Sequence, residues 1–268
     1  MSTVAATTPT TMPTATTSAP TVDATVEPTL AFHDVAKVFA TGTRALEDVS
    51  IDVRPGEFVS VVGPSGCGKS TLLRLAAGLD AATEGDIDVR ADTTSFVFQE
   101  ATLLEWRTAQ RNVELVGELA GVGAAERRRR AAETLELVGL KGFENQHPRA
   151  LSGGMRMRVS IARALVAEPQ LALFDEPFGA LDEITRLKMQ TELQRLFQLK
   201  GFAAMFITHS ISEAVYLSSR VLVMSGRPGR IVDDIELPWS YPRSPELRYE
   251  PEFGRIVGHL SHALEAHS

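Results

Sequence analysis

The chain has 268 residues, enough to bury a sizeable core as one large domain or two small ones. Hydrophobic residues make up 44% and charged residues 23%, an ordinary globular balance, and the net charge of −7 argues against the broadly basic surface of a nucleic-acid binder. A single cysteine, Cys67, excludes an intramolecular disulfide, and no apolar run approaches the roughly 20 residues of a membrane-crossing helix.

Residues 1–28 are mostly Thr, Ala and Pro with isolated Val and Met, which predicts a disordered segment. No Lys or Arg precedes Lys37 and no apolar stretch accompanies it, so no secretory signal is expected. Leu30–Val35 and Leu46–Val53 alternate in part, as antiparallel strands with one wet face do. Phe58–Val62 is nearly all apolar and reads as a parallel strand covered on both faces. Thr71–Ala77 reads as a helix. From Thr102 to Leu165 the pattern turns helical, with Ala131, Leu135 and Val138 on one face. The run Arg127-Arg128-Arg129-Arg130 is most simply a solvated helix face. Leu171–Phe174 and Ala203–Ile207 repeat the buried-strand signal, and Val221–Met224 and Arg230–Leu237 read as closing strands. Phe253, Ile256, Val257, Leu260 and Leu264 are spaced for a final helix. The expected organisation is one domain over 29–240, with a helical subdomain at about 100–165 and a short helical tail over 241–268. From the length of that tail no further regulatory domain is expected.

Two segments carry chemistry. Gly63-Pro64-Ser65-Gly66-Cys67-Gly68-Lys69-Ser70, followed by Thr71, fits G-x-x-x-x-G-K-[ST] between a predicted strand and a predicted helix. Its glycines let backbone N–H groups converge on phosphate oxygens, and the helix N-terminus adds partial positive charge. Lys69 is expected to reach the β- and γ-phosphates of a nucleotide and Ser70 to ligate Mg²⁺. Cys67 fits as a small residue, because phosphoryl transfer needs no thiol. The second segment, Leu171-Ala172-Leu173-Phe174-Asp175-Glu176, is an apolar strand ending in two acids. Asp175 is placed to hold Mg²⁺, and Glu176 to orient or deprotonate the attacking water.

Leu151-Ser152-Gly153-Gly154-Met155 and the helix-like stretch after it resemble the signature of ATP-binding-cassette ATPases. Phe98-Gln99-Glu100, Phe178-Gly179-Ala180-Leu181-Asp182 and Ile207-Thr208-His209 follow in that family's order, over roughly residues 30–235. The resemblance implies an α/β fold: a P-loop NTPase core with a mainly parallel sheet, an antiparallel β subdomain and an inserted helical subdomain. It further implies that Phe39 stacks on adenine and that Gln99 touches Mg²⁺ or the attacking water. His209 would contact the γ-phosphate. Ser152, Gly153 and Gly154 would face the P-loop of a second subunit, with Asp182 acting across that interface. ATP and Mg²⁺ are the implied ligands. The implied partners are a second copy or a paralogous ATPase subunit, transmembrane permease subunits and, indirectly, a solute-binding protein, at the cytoplasmic face of the plasma membrane. Met155, Leu103-Leu104-Glu105-Trp106 and Arg227-Pro228-Gly229-Arg230-Ile231 resemble the nitrate, sulfonate and taurine importers, although Met157 and Glu105 replace that group's usual Gln and Pro. The alternative is a single-cassette ATPase without a transport role.

Overall fold

The computed structural model describes residues 26–267. The segment expected to be disordered lies almost wholly outside the described residues. Strands β3 (Phe58–Val62), β5 (Thr94–Val97), β6 (Leu171–Asp175), β7 (Ala203–Ile207), β8 (Arg220–Met224) and β9 (Ile231–Glu236) form one six-stranded sheet in the order β5-β6-β7-β3-β8-β9. It is parallel except at β9, which runs antiparallel along one edge.

The apolar runs earn their buried places by alternation. Phe58, Ala172, Phe174, Ala204, Phe206, Val221 and Val223 point to one face. Val59, Val61, Leu171, Leu173, Met205 and Leu222 point to the other, as the two-residue period of a strand requires. The first face is covered by α4 (Gly153–Leu165), α5 (Glu183–Lys200), α6 (Ile211–Leu217) and α7 (Pro251–Ala266). The second is covered by α1 (Lys69–Ala76) and a separate antiparallel sheet. That sheet has the order β2-β1-β4, from β1 (Leu30–Val38), β2 (Arg44–Val53) and β4 (Glu84–Val89).

The helical region is α2 (Ala109–Leu119), α3 (Ala124–Leu137) and the start of α4. Ala131, Leu135 and Val138 are buried as their spacing predicts. Asn112 is fully buried, and its amide ties down the 104–108 loop through Leu104, Arg107 and Thr108. Arg129 and Arg130 lie on the solvated face expected for the Arg run, paired with Glu126 and Glu133. Arg127 instead turns inward to the Val122 carbonyl at 2.7 Å.

Three features depart from the sequence reading. Helix α1 starts at Lys69, two residues before the expected Thr71, so both chemical residues of the loop sit in its first turn. Strands β4 and β5 have no counterpart in the predicted elements. β4 has almost entirely exposed side chains and exists through its ladder to β1. The C-terminal tail does not stand apart: Phe253, Ile256 and Leu260 belong to the main core, and the Trp239 and Phe253 rings meet at 5.9 Å.

Candidate active site

Every chemical group expected of the P-loop and the paired acids sits at the carboxyl ends of the parallel strands, where α/β sheets bind their ligands. The loop after β3 turns into α1 at Gly68, whose φ of 114° belongs to glycine alone. A Cβ there would lie 2.8 Å from the Ala45 carbonyl. The Lys69 ammonium lies across the loop, donating to the carbonyls of Gly63 at 2.8 Å and Pro64 at 2.9 Å. Cys67 is buried behind it, with Sγ 3.8 Å from that ammonium.

Asp175 ends β6, and its Oδ1 accepts from the Ser70 hydroxyl at 3.0 Å. Burial pushes the Asp175 carboxyl above the usual carboxylate range. The Ser70 hydrogen bond opposes this, and the adjacent Glu176 charge adds to it. These hard oxygens, open on one side, suit Mg²⁺, which takes one or two protein oxygens and fills its octahedron with water and phosphate. No three His, Cys, Asp or Glu side chains converge as a self-sufficient metal site among the described residues.

Glu176 has a φ of 45°, unusual for a residue with a side chain. Its N–H bonds to the Ile207 carbonyl at 3.0 Å, which holds the turn. The carboxylate thereby faces the cavity, and its Oε2 is 3.1 Å from Nδ1 of His209. The His209 side chain is 61% exposed, so it is free to meet a ligand.

An open cavity of about 440 Å³ lies over the loop. Phe39, Lys69, Ser70, Thr71, Gln99 and Glu176 all line it. The Lys37 ammonium sits 5.4 Å from the Phe39 ring centroid and is anchored on Asp80 at 2.6 Å. Gln99 also lines a second groove with Leu103, Gly153 and Met157, so one side chain borders both the cavity and the helical region. The structure does not bring Ser152, Gly153, Gly154 or Asp182 to the cavity of their own chain. Ser152 and Asp182 act instead as N-caps, accepting from the backbone N–H groups of Met155 and Thr185. The cap bond from Thr185 holds the Asp182 carboxyl below its ordinary range.

Arg227 was read only as a mark of subfamily, yet it lines the same cavity. It clamps the loop by donating to the Gly66 carbonyl at 2.8 and 3.2 Å. The Arg-Pro-Gly run was the available signal, but nothing local shows that it folds back over residues 161 positions away.

A sequence model described as "ABC transporter" matches residues 46–179. The chain is 42% identical to an ATP-binding protein of Brucella abortus over 246 residues, covering 89% of this chain and 94% of that protein. The chain belongs to the ABC transporter family. It is also 42% identical to the aliphatic sulfonates import ATP-binding protein SsuB of Bacillus cereus, covering 81% of this chain and 89% of that one. Among solved structures it resembles the ATP-binding cassette MJ0796 in a dimeric post-hydrolysis state bound to ADP and phosphate. That match has a TM-score of 0.71 and 34% identity, and covers 78% of this chain and 98% of that one. As an ABC ATPase the chain binds and hydrolyses ATP. No helix among its described residues is long and apolar enough to cross a membrane.

Proposed function

We propose that this ABC ATPase energises a membrane importer for nitrate, a sulfonate, taurine or a related small solute. One observation supports the chemistry: Lys69, Ser70 and Glu176 line one open cavity, and Asp175 and His209 stand behind that lining, bonded to Ser70 and Glu176. The 42% identity to SsuB, over most of both chains, supports the substrate class.

In this reading the adenine stacks on Phe39 and the phosphates enter the cradle of residues 63–71. Lys69 leaves its two loop carbonyls for the β- and γ-phosphate oxygens. Ser70, Asp175 and Gln99 would hold Mg²⁺, which would neutralise phosphate charge when bound. Glu176 accepts a proton from the attacking water, and His209 contacts the γ-phosphate. The helix N-terminus at Ser152, Gly153 and Gly154 is an anion site unused by its own chain. It closes over the ATP of a second copy or a paralogous subunit, with Asp182 beside it. Such a two-fold sandwich uses each surface reciprocally. The groove bordered by Gln99 and Met157 passes closure to permease subunits at the cytoplasmic membrane face, and a solute-binding protein delivers the solute.

Replacing Lys69 with Ala removes a charge-assisted donor from the phosphates. MgATP affinity is expected to fall on the order of 10–100-fold, read by equilibrium binding. Unchanged affinity would remove Lys69 from the site. For the transport role, the tagged chain is purified from detergent-solubilised membranes and its companions identified by mass spectrometry. A polytopic membrane protein in near-equal amount is the expected result. Recovery from the soluble fraction alone would favour an ATPase without a transport role.

A further inference from the structure

The turn that presents His209 is held from behind by a buried polar chain. Thr208 and Ser210 flank the histidine. The Thr208 hydroxyl accepts from the Ser210 N–H at 3.0 Å and donates to Oε2 of Glu213 in a short contact. Oε1 of Glu213 accepts from Nε2 of Gln190, on α5, at 2.9 Å. Oε1 of Gln190 accepts from the Arg248 guanidinium at 2.6 Å. Thr208, Glu213 and Gln190 are 2%, 5% and 3% exposed, so the chain is shielded from water except toward its half-buried Arg248 end.

The direction of each bond in this chain follows from its two charged groups, Arg248 and Glu213. A guanidinium only donates, so the Gln190 amide must turn its oxygen toward Arg248 and its NH₂ toward Glu213. The Glu213 carboxylate only accepts, so the Thr208 hydroxyl proton must point at it. That leaves the hydroxyl lone pairs free for the Ser210 N–H. Without Arg248 the Gln190 amide keeps its NH₂ on Glu213 but its oxygen loses its partner, so the side chain is anchored at one end only. In a low-dielectric interior such a chain is fully satisfied or costly.

Arg248 is itself fixed. Its guanidinium carbon lies 3.3 Å from the centroid of the Tyr216 ring on α6. The neighbouring Arg243 donates to the carbonyls of Val215 and Tyr216 and so grips the far end of the same helix. The segment over 239–249 is therefore a strap across the helix that His209 precedes.

We propose that Arg248 is a positioning residue for hydrolysis, acting through Gln190, Glu213 and Thr208 to orient His209. It touches neither nucleotide nor reacting atoms. The inference rests on the reading of His209 as the γ-phosphate contact.

The test uses steady-state and single-turnover ATP hydrolysis by the full-length chain, with thermal unfolding measured alongside. Arg248→Ala is expected to lower kcat about tenfold with little change in the KM for ATP, because misorientation costs rate more than binding. Arg248→Lys, which still donates to Gln190, recovers part of the rate. Gln190→Met, similar in shape but without the amide, gives the same loss as Arg248→Ala. On a His209→Ala background, Arg248→Ala adds no further loss of rate while its effect on unfolding persists. A rate within twofold of the parent in Arg248→Ala, beside a disabled His209→Ala, overturns the relay alone. An equal further loss on the His209→Ala background also overturns it, because the strap then serves general stability. A parental rate in His209→Ala overturns the reading of the site and the relay with it.

Discussion

Glu176→Gln is expected to lower ATP hydrolysis by 10²- to 10⁴-fold, the usual contribution of a positioned general base. That corresponds to about 3–5.5 kcal/mol of transition-state free energy. The substitution keeps shape and removes only the ability to take a proton. Glutamine can occupy the same turn, since the Glu176 N–H to Ile207 bond is made by the backbone. Its side chain can still meet Nδ1 of His209, now 3.1 Å from the carboxylate. Lys69, Ser70 and Phe39 are untouched, so ATP affinity should stay within a few-fold of the parent while turnover collapses. Phosphate release at saturating MgATP reads the rate, and equilibrium binding reads the affinity. Hydrolysis within twofold of the parent would place the base elsewhere. A parallel loss of binding would mean that the carboxylate organises the loop rather than the water.

Phe206→Ala is expected to destabilise the fold by about 3–5 kcal/mol, a large share of the 5–15 kcal/mol typical of a domain. The ring is wholly buried, with Phe58, Phe174 and Phe178 centroids at 5.8, 6.0 and 5.8 Å. Neighbours locked in strands cannot collapse into the space, so the lost transfer energy is joined by a cavity cost. Urea unfolding without nucleotide measures the change, and saturating MgATP should restore part of it by binding only the folded chain. A loss below about 1 kcal/mol would mean that the ring is not packed against those three neighbours. The same cluster bears on catalysis. Phe174 directly precedes Asp175, and Phe206 lies three residues before His209, so this packing joins the strand ends that carry Asp175 and His209.

The parts of this site that were legible are those written as short contiguous strings. The P-loop declares itself because its glycines, Lys69 and Ser70 must be adjacent to wrap one phosphate group. Asp175 and Glu176 are legible because an apolar run long enough for one strand stops at two charges. β3, β6 and β7 were read for the same reason, since a strand covered on both faces must be apolar throughout. By contrast β4, reading Glu84-Gly85-Asp86-Ile87-Asp88-Val89, puts little apolar surface inside. Its strand state comes from backbone bonds to β1, which no side-chain pattern records.

Thus the sequence by itself determined the family, the fold class and the ATPase activity, and it supplied the residues proposed to carry that chemistry, because each rests on local order along the chain. Only the tertiary structure decided that Arg227 closes over Gly66, that α7 is core rather than tail, and that Arg248 reaches Thr208 through α5 and α6. Those contacts join positions far apart in the chain. Packing creates them once the hydrophobic faces are buried, and a single guanidinium or amide carries no mark in the sequence of the partner it will meet.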